Sequence, residues 1–414
     1  MTFTRRFLLA GAAATAILAG ALTAPAMAAD KTTLVIANSQ WLDALRGQNL
    51  WAALKTFEES HPDIVLEQEA IPSKDYADRL MTEMGAQQGP DIMIVQEGLF
   101  YSLVGAEFLV PLDDVTEGVT NLNATNDNGV VDGTRLGIAW QRAVYALIFN
   151  KALLQEAGVE VPSDLDGMIA AAKATMEATG AIGFTGRHSM NEFGAWFMDF
   201  QNWAYGYGVN WVDSEGNLTI NTPEAVAAFD AFKAAYDSGI MPIGDPMTTQ
   251  RTRFKEQQVA FSIDNSGGSL NIASGGALPS ADMGAAPLPF ANPGAHQQIF
   301  LGLSKFSEAQ PEAKAFLAWL ISDEGQQALR AASGPDALAT DVPVTDAFQA
   351  ENPWAAEFAE LAKTSRTTLI PGYELETTSI MRPVMTALEK VLLGAATSEE
   401  ALAEAEAEIH KDFN

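Results

Sequence analysis

Polar and aromatic side chains gather at a few short stretches, most of them directly after an apolar run. They are Ser39-Gln40-Trp41 with Asp43, Gln96-Glu97, Trp140-Gln141, Arg187-His188 and Asn265-Ser266-Gly267-Gly268. Trp196, in an aromatic-dense stretch, and Tyr373, after Pro371-Gly372, complete the set. Such residues do recognition chemistry rather than bond-breaking. Indole faces stack on the C–H faces of a polyhydroxylated ring, and planar amides, carboxylates and guanidinium groups fix its hydroxyls. A Gly-Gly pair lets backbone N–H groups approach a ligand closely. The sequence carries no Gly-x-Ser-x-Gly elbow, Walker loop or His-Glu-x-x-His. Four histidines and no cysteine exclude a Cys/His zinc centre, and neither a metal nor a cofactor is expected. A glycoside hydrolase would need two carboxylates about 5–10 Å apart. Nothing in the spacing of the 53 acidic residues singles out such a pair.

Each candidate also has a packing role open to it. Trp41 either stacks on a ligand or packs its own lobe. Gln96 and Glu97 either touch a ligand or sit on a solvated loop, and Trp140 either lines a cleft or packs a hinge. Arg187 and His188 either bind an anionic group or cap a helix and pair with Glu192. Trp196 and Trp203 are seven apart, on one helical face, where aromatic stripes are more often core. Asn265 to Gly268 are a ligand-contacting loop or only a tight turn. Arg251 and Arg253 read as surface residues.

The chain has 414 residues, 48% hydrophobic and 19% charged, with a mean hydropathy of +0.02. That length allows two domains of about 100–200 residues each. The formal net charge of −29 argues against nucleic-acid or anionic-membrane partners, which reward basic surfaces. Residues 1–28 read as a signal peptide: Arg5-Arg6, the apolar run Phe7–Leu22, then Ala26-Met27-Ala28 as a small-x-small cleavage site. The arginine pair is compatible with the twin-arginine (Tat) route, while Phe7 directly after it leaves Sec export open. Either route implies a soluble periplasmic protein whose stability comes from its core rather than from disulfides.

These residues need strand ends to present them. Strands are predicted at 32–37, 64–67, 92–95, 182–184, 259–263 and 299–303, and helices at 50–60, 75–84, 162–179, 192–207, 222–238, 311–322, 353–363, 379–393 and 399–411. Alternating strands and helices predict doubly wound α/β layers, which bind ligands beyond the carboxyl ends of their strands. Asp132-Gly133 marks a turn. Leu136–Phe149 is then apolar for too long to be one ordinary strand, and reads as a piece passing from one lobe to another. A short helix capped by Gly158 follows. Met283–Pro289 reads as a second hinge strand.

The stretch Asp132-Gly133-Thr134-Arg135-Leu136-Gly137-Ile138-Ala139-Trp140, with Phe149-Asn150-Lys151 and Glu156-Ala157-Gly158, resembles the first hinge of the solute-binding proteins of bacterial carbohydrate ABC importers. Those proteins read D-G-x-x-Y-G-I-P-W and then Y-N-K-x-L-F-x-E-A-G. This chain has Leu136, Ala139 and Phe149 where they have Tyr, Pro and Tyr. Pro90-Asp91-Ile92, the segment from Gly105 to Asp114, and Asp323-Glu324-Gly325 are similar to further segments of that family. The resemblance implies a periplasmic-binding-protein-like α/β fold of two discontinuous lobes. Residues 29–138 and 288–329 would form the N-terminal lobe, 139–287 and 340–414 the C-terminal lobe, and 330–339 a crossing segment. It also implies a non-enzymatic monomer that takes a sugar or sugar derivative into the interlobe cleft and delivers it to membrane permease subunits. A secreted glycoside hydrolase or lyase is the alternative.

Overall fold

The computed structural model describes residues 31–334 and 339–413. The expected signal peptide lies outside these residues, as does part of the expected crossing segment. Three parallel strands open the described chain: β1 (Thr32–Ala37), β2 (Ile64–Glu69) and β3 (Ile92–Gln96), with β1 between the other two. Helices cover both faces, so these strands are apolar on both sides. Leu34, Ile36, Ile92 and Ile94 face one core. Ala37, Met93 and Val95 face another.

β4 (Val130–Val131) and β5 (Thr134–Arg135) form a small antiparallel ribbon. Its turn is Asp132-Gly133, with φ of +50° and +78°. A two-residue hairpin needs that left-handed pair, and Asp-Gly adopts it readily.

β6 (Ile138–Asn150) is 13 residues long and joins the two halves of the molecule. The other strands are β7 (Ile182–Thr185), β8 (Val259–Asn265), β9 (Met283–Ala286), β10 (Ala295–Leu303) and β11 (Arg366–Thr367). The first half of β6 pairs antiparallel with β10, which continues onto β3. Its second half pairs with β8 and β9, and β8 pairs in parallel with β7. Two sheets therefore share one strand. Alternate β6 side chains enter different cores: Tyr145, Leu147 and Phe149 one, Val144, Ala146 and Ile148 another. That is the period of two of a strand buried on both faces. The expected architecture of two α/β lobes joined by hinge strands is the one observed.

Several expected elements shift. The helix expected at 50–60 begins earlier, at Ala44, and breaks between Lys55 and Phe57. Met283–Ala286 stays on the second lobe, paired with Leu147–Asn150. The second crossing is carried by β10, which starts with Ala295 in the second lobe's core and ends with Leu301 and Leu303 in the first. The physical reason is that Pro287, Pro289 and Pro293 leave too few N–H groups for a continuous ladder between β9 and β10. Helices Met247–Lys255 and Asp346–Glu351 were not expected. The last helix, Ser398–Asp412, buries Ala401, Leu402, Ala405 and Ile409 beneath its charged face.

Candidate functional site

The carboxyl ends of β1, β3, β7 and β8 lead into the stretches that carry the candidate residues. Asn38 ends β1 by capping a single 3-10 turn, Ser39–Leu42, through its side chain and the Gln40 N–H (3.0 Å). That turn delivers Gln40 onto the crossing strand. Gln40 Nε2 donates to Gln141 Oε1 at 2.7 Å, and Gln40 Oε1 accepts from Trp140 Nε1 at 3.1 Å. Three residues singled out by type alone are thus joined, with Ser39 half-buried beside them.

Trp41 points the other way. It is 7% exposed, donates its indole N–H to Ile36 O, and meets Trp51 and Trp140 edge-on at 5.3 and 6.4 Å. Its geometry is that of a core residue. Asp43 pairs with Arg46 at 2.8 Å.

The expected turn at Gln96-Glu97 is a helix start instead, with Glu97 opening Glu97–Gly105. Gln96 reaches Gln297 on β10 at 3.5 Å. Glu97 has no exposed surface. Its carboxyl takes the N–H of Gln298 and the hydroxyls of Thr367 and Thr368. Burial nevertheless dominates those bonds and pushes its pKa up to about 8.

On the second lobe, β7 leads to Arg187 and His188. Arg187 forms a buried ion pair with Asp199, whose other oxygen takes the Tyr145 hydroxyl at 2.7 Å. Burial is the largest influence on Arg187 and works against its charge, but Asp199, with Tyr145 and Glu192 behind it, raises its pKa on balance. His188 is fully occupied within its own lobe: Nδ1 lies 2.9 Å from Gly186 O, and Nε2 accepts the Gly244 N–H at 2.8 Å. Trp196 has no exposed surface and belongs to the core.

β8 ends at Asp264 and Asn265. The expected loop there is the first turn of helix Ser266–Ala273, capped by Asn265 on the Gly268 N–H at 2.9 Å. Arg251, expected at the surface, keeps 22% of its side chain exposed but grips Asp264 with two hydrogen bonds, at 2.7 and 2.5 Å. A β-carbon at Gly268 would fall 2.4 Å from both groups, so glycine is what lets the helix start lie against the pair. Burial opposes the Arg251 charge as well, and Asp264, then Asp199 and Asp43, raise its pKa in spite of it. Asp43 belongs to the first lobe, so the two lobes sense each other's charges. Tyr373 lies elsewhere, donating to Gly216 O at 3.2 Å.

The structure brings Gln40, Trp140 and Gln141 together at the crossing strand. It places Arg187 beside Tyr145 and Asp199, and Asn265 to Gly268 beside Arg251 and Asp264. Tyr145, Asp199 and Gln297 are not singled out by the sequence, and Arg251 reads there only as a surface residue. Tyr145 lay inside an apolar run, and Arg251 meets Asp264 only through the tertiary fold. The described residues contain no His/Cys/Asp/Glu group able to hold a metal ion, and none of their helices is long and apolar enough to cross a membrane.

The profile of the bacterial extracellular solute-binding protein family matches residues 43–327. The chain belongs to that family. Structural relatives of the solute-binding fold cover nearly the whole chain. The GacH receptor of Streptomyces glaucescens, solved unliganded and with acarbose, has a TM-score of 0.81 at 21% identity, covering 93% of this chain and all of its own. UgpB of Mycobacterium tuberculosis, bound to glycerophosphocholine, has a TM-score of 0.76 at 16% identity, covering 92% of this chain and 98% of its own. Among curated sequences, a Brucella abortus (strain 2308) binding protein is 23% identical over 46% of this chain and 47% of its own length. The chain thus spans about half the length of that relative. An arabinooligosaccharide-binding protein of Halalkalibacterium halodurans is 24% identical over 74% of this chain and 72% of its own. A mannitol-binding protein of Pseudomonas aeruginosa is 28% identical over 35% of this chain and 34% of its own.

Proposed function

We propose that this solute-binding protein is the periplasmic substrate-binding subunit of an ABC importer. It captures a neutral sugar or polyol between its lobes by hinge closure and passes it unchanged, as a monomer, to membrane permease subunits. Export would use the signal peptide at residues 1–28. The lobes would be residues 29–138 with 299–329, and 139–298 with 340–414, since Leu288 and Ala295 pack in the second lobe's core and Ile299 in the first.

The observation that carries the ligand class is charge balance. Two arginines stand at the strand ends of the second lobe, and each is already neutralised, Arg187 by Asp199 and Arg251 by Asp264. A carboxylate or phosphate ligand would have to displace a buried partner, which costs several kcal/mol. A neutral ligand instead meets amides and hydroxyls: Gln40, Gln96, Gln141, Asn265 and Ser266, with the backbone N–H of Gly267. The names of the mannitol- and arabinooligosaccharide-binding relatives agree with that class. The same ion pairs count against a glycosidase, because Asp199 and Asp264 are committed to arginines.

Differential scanning fluorimetry against hexoses, pentoses, polyols, oligosaccharides and uronates tests this reading. A cognate ligand at 100 times its dissociation constant adds about 2.7 kcal/mol. The midpoint should rise for one neutral class and not for its uronate. A response to uronates alone would overturn the neutral assignment, and recovery of cleaved sugar would favour the enzyme.

A further inference from the structure

Beside the hinge lies a cavity of about 460 Å³, bounded by residues of both lobes and of β6. Its lining includes Thr125, Arg142, Ser266, Thr340 and Ala362, with one further cation, Arg330, and one carboxylate, Asp341. Arg142 lies on the β6 face opposite Tyr145, so this space is distinct from the amide cluster around Gln141.

Arg142 differs from Arg187 and Arg251. Its Nη2 donates to two neutral acceptors, Ala362 O at 2.9 Å and Ser365 Oγ at 3.4 Å. Its Nε is buried and finds no partner among the described residues. Burial alone moves its pKa, downward, with no carboxylate offsetting the effect. The neighbouring His296, 3.4 Å from Nη2, offers a ring nitrogen but no counter-charge: burial and Arg142 push its pKa down to about 3, so it is neutral at ordinary pH. The cavity also holds a second unmet need. Thr125 is 3% exposed, and its hydroxyl is buried without a partner. Arg142 as a whole is half-buried, and a cation partly withdrawn from water beside such a donor is favoured by an anion that completes it.

We propose that this cavity takes a small oxyanion, of the carboxylate, phosphate or sulfate class, held by the Arg142 guanidinium with the Thr125 hydroxyl as second donor. Thr125 comes from the first lobe, Arg142 from the shared strand and Ala362 from the second lobe. Arg142 already holds Ala362 O, so an anion that joins Arg142 to Thr125 adds the first lobe to that link and biases the hinge angle from the side away from the amide cluster. The site does not depend on the sugar reading.

The test is calorimetric titration of the purified full-length chain with phosphate, sulfate and acetate in chloride buffer at constant ionic strength. Saturable binding of at least one oxyanion is expected, weakened at least tenfold by Arg142→Gln and severalfold by Thr125→Val. Gln40→Ala, on the other side of β6, should bind the anion as the wild type does. Lack of saturable binding to the wild type overturns the proposal, as does unchanged binding by Arg142→Gln. Should Arg142→Gln fail to fold, Thr125→Val decides, and wild-type affinity there also overturns it.

Discussion

Replacing Glu97 by Gln should change how stability depends on pH. The carboxyl is fully buried at the start of its helix, and its pKa is raised from 4.5 to about 8. The folded protein therefore keeps a proton that the unfolded chain has released at neutral pH. Such a group lowers stability as pH rises through the window from about 4.5 to about 8, and the loss is complete above it. A gap of roughly 3.5 units at 1.36 kcal/mol each sets a ceiling of about 5 kcal/mol. Glutamine copies the protonated carboxyl closely in shape, keeps one acceptor oxygen beside a donor group, and cannot ionise. Urea unfolding at fixed temperature between pH 5 and pH 9 measures the difference. The two proteins should lie within about 1 kcal/mol of each other near pH 5, with the variant more stable by several kcal/mol at pH 9. A difference constant across that range would refute the assignment of a retained proton to Glu97.

Asp199→Asn should destabilise by about 3–5 kcal/mol in urea unfolding, because it leaves the buried Arg187 without its counter-charge. A loss under 1 kcal/mol would mean that water reaches the pair. Trp41→Phe gives up the hydrogen bond to Ile36 O and should cost about 1–3 kcal/mol of stability, with sugar affinity kept within about threefold. A tenfold loss of affinity would return that ring to the ligand.

Much of the frame was legible because it rests on local rules. The alternation of apolar runs with helical periods gave the parallel strands, Asp132-Gly133 announced its own turn, and the apolar length of Leu136–Phe149 exposed the strand shared by both sheets. The site was legible only in part. Residue type singled out Gln40, Trp140 and Gln141, which the fold joins by hydrogen bonds, but it could not say which way a side chain turns. Trp41, Trp140 and Trp196 are the kind of residue that stacks on sugars, yet all three rings are packed inside, Trp140 in the same core as Trp41. His188 is held by Gly186 and Gly244, contacts that no spacing rule displays. The Arg251–Asp264 and Arg187–Asp199–Tyr145 groups depend on strands meeting after folding, so their carboxylates were lost among the many acidic residues. The second crossing was misplaced because Met283–Ala286 has strand character, while β10 carries polar glutamines within its ladder.

The measurement that bears most directly on the central claim is titration calorimetry of neutral sugars and polyols against the wild type and the paired variant Gln40→Ala, Gln141→Ala. The account predicts one site for one class of neutral ligand, with the ligand recovered chemically unchanged. It also predicts an affinity at least tenfold weaker in the variant, about 1.4 kcal/mol or more. Full affinity in the variant, or binding only of charged sugars, would contradict it.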